Sequence, residues 1–169
     1  MSRAAAVALI LAACAGPDEP GPTGDTFIAF TPAFRGFRGW TSFHSDGPAD
    51  DGTVSPDALG ARTLYIDPVP QSGAAAFPVG TIVIEARETG TQNIFARVKR
   101  GGTYNTGGAR DWEWFELIEQ PDLAIVWRGI GPPNGESYGG DPNACNACHA
   151  DRCAGNDFTC SPTLSLASF

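Results

Sequence analysis

Residues 81–88 read TIVIEARE and residues 93–100 read NIFARVKR. Both runs are rich in β-branched residues and partly alternate apolar with charged side chains, which is the period of a strand. Gly90 lies between them and supplies a turn. Upstream, residues 62–67 (RTLYID) read as a strand that stops before Pro68. Downstream, residues 111–118 (DWEWFELI) alternate charge with aromatic bulk, so Trp112 and Trp114 are candidates for packing on either face. Residues 123–128 are the last strand candidate. Near the start, residues 27–40 (FIAFTPAFRGFRGW) are aromatic-rich, with a short helix predicted after Pro32. Stretches 45–60, 71–76, 101–108 and 129–142 read as loops and turns. The 21 glycines and 14 prolines make roughly a fifth of the chain, against an average of about 12%. Strands with little helix predict an α+β fold, an antiparallel β-sheet with a few flanking short helices.

Hydrophobic residues make up 42% of the 169 and aromatics 10%, enough for an ordinary core. Nineteen acidic residues against 11 basic ones leave a formal charge of -8. That balance argues against nucleic acid as a partner, because phosphate binding needs a basic face. It also argues against electrostatic docking on anionic lipid.

The chain opens MSRAAAVALILAAC. Arg3 is a short basic start, and residues 4–13 form an apolar run too short to span a bilayer, which takes about 20 residues. This is the pattern of a secretory signal peptide, over residues 1–13. Leu11, Ala12, Ala13 and Cys14 look like a bacterial lipobox, with Cys14 as the lipidated first mature residue. The rival reading is an ordinary signal peptide with a chance cysteine. Acylation at more than one site gives stable anchoring where one chain does not. The membrane is then met by the lipid anchor only. Ala15 carries no aspartate retention signal, which favours the outer membrane of a bacterial envelope, the domain facing the periplasm or exterior. Residues 14–25 are a Pro/Gly-rich tether, and 26–169 are the folded domain.

Besides Cys14, the cysteines are Cys145, Cys148, Cys153 and Cys160. Residues 145–149 read CNACH, the attachment signature of c-type haem. Two thiols in a tight turn reach the two vinyl groups of one porphyrin, and the following histidine lies under the iron as axial ligand. The cofactor implied is one covalently attached haem c, bound by Cys145, Cys148 and His149, with His149 on the metal. Cys153 and Cys160 are then left over as natural disulfide partners, which an exported chain permits. Two other readings use the same residues. One pairs Cys145 and Cys148 with Cys153 and Cys160 in disulfides. The other is a zinc site of Cys145, Cys148, Cys153 and either His149 or Cys160.

Five segments occur in a telling order: FPVGTIVIEA (77–86), RVKRGGTYN (97–105), DWEWFEL (111–117), CNACH (145–149) and AGNDFT (154–159). The set resembles the cytochrome P-460 family, which includes the cytochrome c′-beta proteins, over about residues 37–160. The CNACH element is common to c-type cytochromes; the ordered set is more specific. The resemblance implies an elongated antiparallel sheet with flanking helices, a homodimer, and one haem c with a proximal histidine and an open distal side. It also implies oxidation of hydroxylamine, or binding of nitric oxide and similar small ligands. The chain departs from the family in two places. Hydroxylamine-oxidising members carry a lysine cross-linked to the haem, often near the end of the strand after FP-x-GT, and here that place is Glu85. The only lysine is Lys99. The second departure is Cys160, where the family pattern runs on through its closing strand.

Scarcity constrains the sixth iron position. Met1 is the only methionine and goes with the signal, so a His/Met electron-transfer haem is excluded. His44 is the only other histidine, and it reads as a surface or structural residue. An open iron favours a small ligand: nitric oxide, hydroxylamine or carbon monoxide. Phe34, Phe37, Phe43 and Phe77 are candidates for an apolar distal wall, each with core packing as its simpler role. Arg35, Arg38 and Arg62 are candidate hydrogen-bond donors to a bound ligand, each with a surface location as the alternative. No catalytic residue is assigned. The expected function is an exported mono-haem cytochrome that binds or handles small nitrogenous ligands, or passes electrons to a redox partner protein. The alternatives are a hydroxylamine-oxidising enzyme with a lysine-linked haem, and a non-haem envelope lipoprotein held by disulfides or zinc.

Overall fold

The computed structural model describes residues 25–47, 60–87, 93–119, 121–132 and 144–169. The signal peptide, Cys14 and nearly all of the tether lie outside the described residues. Six strands follow one another: β1 (Thr41–Ser45), β2 (Arg62–Asp67), β3 (Ile82–Arg87), β4 (Asn93–Lys99), β5 (Trp112–Ile118) and β6 (Ala124–Gly129). They form one sheet in that same order, every neighbouring pair antiparallel. One α-helix, α1 (Ala144–Arg152), and short 3-10 turns complete the described fold. The architecture is thus an antiparallel sheet with few short helices. No helix among the described residues is long and apolar enough to cross a membrane.

The five strands read from the sequence lie within one residue of their expected bounds. β1 was not expected. Its sequence, TSFHS, has one large apolar side chain, and the strand is mostly exposed at the sheet edge. Such an edge needs no alternating pattern and stays polar, which discourages pairing with another chain. β5 is the reverse case: Trp112 to Leu117 are all buried, so both faces of this strand are covered.

The period of two divides the core between the two sides of the sheet. On one side, Ile82, Ile84 and Ala86 of β3, Ile94, Ala96 and Val98 of β4, and Phe115 and Leu117 of β5 pack against Ala29, Phe34 and Phe37. Phe34 meets Phe115 edge-on at 5.0 Å, and Phe37 meets Tyr65 at 5.1 Å. Two 3-10 turns, Thr31–Phe34 and Phe37–Gly39, carry these aromatics. Pro32 permits the first turn, because its missing N–H is spared at a helix start. On the other side, Leu64, Ile66, Val83, Trp112, Trp114 and Trp127 pack with Phe77, Leu164 and Leu166, and Cys145 and Phe158 join them. This second side carries α1.

Candidate functional site

CNACH lies on a regular helix, where the sequence suggested a tight turn. Ala144, Ala147 and Ala150 explain it, since alanine has the best intrinsic helix propensity. Cys145 and Cys148 are therefore three residues apart on one helical face, and neither is in a disulfide. Cys153 and Cys160 are bonded to each other, Cα–Cα 5.1 Å. Among the described residues, no group of three His, Cys, Asp or Glu side chains comes together as a metal cluster.

The helix is fixed through Asn146. Its Oδ1 accepts from the Asn105 side-chain amide at 2.7 Å and from the Ala109 N–H at 2.9 Å. The close approach depends on Gly108, where an added Cβ would overlap the Asn146 side chain. Asn105 sits at φ 55° and also donates to the carbonyls of Ala109 and Trp112. The turn after β4 is thus shaped to receive α1.

His149 projects toward the sheet. Its ring lies 4.5 Å from the ring of Trp114. Its Nδ1 is 2.6 Å from the Phe158 carbonyl oxygen. A carbonyl only accepts, so Nδ1 carries the proton and donates it; in the neutral ring Nε2 then holds the lone pair. Burial pushes the imidazole pKa down to about 4, helped by the Arg97 charge and opposed by the Phe158 carbonyl and Glu85. The ring is thus neutral at pH 7, the form that ligates a metal.

Beneath it lies a charged group carried by the same sheet side. Leu64 pairs with Glu85, and Glu85 pairs with Phe95; Arg97 pairs with Trp114. Glu85 accepts from Arg97 at 2.5 Å and from Arg62 at 3.1 Å. Burial acts to raise the Glu85 carboxyl, but the Arg97 and Arg62 charges outweigh it and hold the pKa below the usual value. Among the described residues, Nε of Arg97 and Nε1 of Trp114 are buried with no hydrogen-bond partner. Arg62, one of the arginines proposed to meet a ligand, instead serves Glu85 and the Gly60 carbonyl.

Lys99 belongs to this side as well, paired across strands with Trp112. Its Nζ donates to Asp157 Oδ1 at 2.6 Å and sits 5.3 Å from the centre of the Trp112 ring. The ammonium is thus held by a carboxylate. His44 pairs with Thr63, which pairs with Ala86 of the opposite core cluster. It therefore stands on the far side of the sheet from His149, exposed, with Nε2 3.2 Å from Asp46. Phe34 and Phe37 are on that far side too, so they cannot wall a site at His149. Phe43 and Phe77 are on the helix side, each in edge contact with Phe169, at 6.0 and 6.1 Å. Arg38 forms an exposed two-point pair with Glu119, and Arg35 lines a shallow groove with it, again on the far side.

Asn146, Arg97, Asp157 and the Phe158 carbonyl were not singled out from sequence, and Trp114 was read only as a packing residue. Trp114 and Arg97 had a partial signal, the strand period that alternates the side each residue takes; their pairing is set by the register of β4 on β5. The donor set fits the group that the motif implies: two thiols one turn apart, followed by an imidazole whose Nε2 keeps its lone pair. No protein-family model matches the chain, and neither a curated protein nor a solved structure does.

Proposed function

We propose that the chain is an exported mono-haem c-type cytochrome of the cytochrome P-460 type, lipid-anchored in a bacterial envelope through Cys14. The observation that carries this reading is the CNACH helix, with His149 Nδ1 committed to the Phe158 carbonyl at 2.6 Å. Cys145 and Cys148 would hold the haem through thioethers, and His149 Nε2 would face the iron. When bound, the haem supplies a redox-active metal that takes a diatomic or small nitrogenous ligand. The chain's own part is to orient the imidazole, keep it neutral, and pack it against Trp114.

His44 stands across the sheet, and methionine occurs only at residue 1. The reading therefore leaves the sixth position to a small molecule such as nitric oxide, hydroxylamine or carbon monoxide. Lys99 is engaged by Asp157, so the lysine-linked, hydroxylamine-oxidising alternative draws no support from its position.

The test is a visible spectrum of the full chain produced with a c-type maturation system. The reading requires a pyridine haemochrome of c type and a high-spin ferrous form that takes up carbon monoxide, unchanged in His44→Ala. A colourless protein, or a low-spin spectrum that becomes high-spin in His44→Ala, refutes it.

A further inference from the structure

The loop after α1 carries more polar contacts to the sheet than its length requires. Asp157 and Phe158 both stand in the left-handed region, at φ 47° and 61°, a conformation that residues other than glycine adopt at a cost. Asp157 offsets that cost with three contacts. Its Oδ1 takes Lys99 Nζ at 2.6 Å, its Oδ2 takes the Phe77 N–H at 2.9 Å, and its carbonyl takes Trp112 Nε1 at 2.8 Å. The next carbonyl along the chain is the one that accepts from His149. The Cys153–Cys160 disulfide closes the same loop, and the Phe158 N–H donates to the Cys153 carbonyl at 2.8 Å.

We propose that Lys99 and Asp157 are positioning residues for His149: their ion pair clamps the loop so that the Phe158 carbonyl holds the imidazole in one tautomer and one plane. Both partners are nearly buried, side chains 7% and 10% exposed. A buried ammonium needs its counter-charge, and so does a buried carboxylate. The pair therefore holds firmly, and removing either charge takes away one of the three ties at residue 157, leaving it held to the sheet by the Phe77 N–H and Trp112 Nε1 contacts alone. Groups that hold the far nitrogen of a ligating histidine set its orientation and its basicity toward the metal. The proposal rests on the haem reading only in naming iron as what Nε2 faces. The effect on the imidazole is independent of it.

The variants are Asp157→Asn, Lys99→Met, the two combined, and Lys99→Arg, all in the full chain. Asp157→Asn keeps an acceptor for the Phe77 N–H while removing the charge. One readout is the ferrous iron–histidine stretching band of the haem-loaded protein. The other is the 15N shift pair of His149 in Cys145→Ser/Cys148→Ser protein, which reports the tautomer without haem. Asp157→Asn and Lys99→Met are expected to lower the band frequency and to give mixed tautomers. The double variant is expected to go no further than Asp157→Asn alone, since Lys99 acts through Asp157. Lys99→Arg, which keeps the charge, is expected to stay near the parent. An unchanged band and a single tautomer in folded Lys99→Met overturn the proposal, whether or not Asp157→Asn accumulates. A parent chain that takes up no haem defeats the cofactor reading, and the 15N comparison then decides the clamp by itself.

Discussion

Glu85→Gln removes one charge from the group beneath His149 and nearly preserves its shape. Arg97 loses its carboxylate, and its side chain is only 3% exposed, with Nε already lacking a partner among the described residues. Water cannot replace what is lost there. Arg62 retains the Gly60 carbonyl through Nε and Nη2, both at 3.1 Å. Breaking a buried ion pair by removing one partner costs about 3–5 kcal/mol. Glutamine still offers one acceptor, and a hydrogen bond to a charged group contributes about 1.5–3 kcal/mol. The expected loss is therefore about 2 kcal/mol, or roughly 4–8 °C in Tm for a domain of this size. Urea unfolding followed by tryptophan fluorescence measures it, with the disulfide kept oxidised. The pH dependence has a definite sign. The folded pKa of Glu85 is depressed, so its contribution is present above the unfolded value near about 4.3 and fades as pH falls through the folded value. The parent and Glu85→Gln should thus converge in acid. A variant within about 0.5 kcal/mol of the parent at pH 7, which is surface-like behaviour, would refute the reasoning.

Three further outcomes are expected. Glu113→Gln acts on the other face, where Glu113 accepts from Arg128 at 2.7 Å through both oxygens and from Arg100 at 3.3 Å; both arginines are about a quarter exposed and can be rehydrated, so the loss should be smaller than at Glu85, about 1 kcal/mol by the same unfolding assay. Asn146→Ala leaves the buried Ala109 N–H without its acceptor and should cost about 1–3 kcal/mol, with faster amide exchange at Ala109 as the local check. Cys14→Ser should move the protein from the membrane fraction to the soluble one or block processing, and unchanged membrane association would count against a lipid anchor.

Much of the sheet was legible because β2 buries every second side chain and β3 sorts its apolar residues between two cores. Ile82, Ile84 and Ala86 face one core and Val83 the other, so the alternation survives in the sequence. β1 was not legible, because TSFHS is an exposed edge where no pattern is imposed. The CNACH signature needs only local spacing, so the expectation of a haem could be formed from sequence alone. Its helix could have been read from the alanines at three-residue intervals. The supporting contacts could not. Lys99 and Asp157 are 58 residues apart and meet only through the fold. Sequence also could not sort Phe34 and Phe37 from Phe43 and Phe77, because which side an aromatic takes depends on the path of the N-terminal segment over the sheet.

Proteolysis of the mature protein and mass spectrometry of the peptide holding Cys145, Cys148 and His149 decides whether this chain carries haem where its motif says. The expected result is one peptide heavier by one haem, fragmenting with thioethers at Cys145 and Cys148, and a separate, unmodified peptide containing Lys99. A peptide with two unmodified thiols would contradict the haem assignment. A haem joined also to the Lys99 peptide would contradict the role of Lys99 as the ion-pair partner of Asp157 and move the protein to the hydroxylamine-oxidising type.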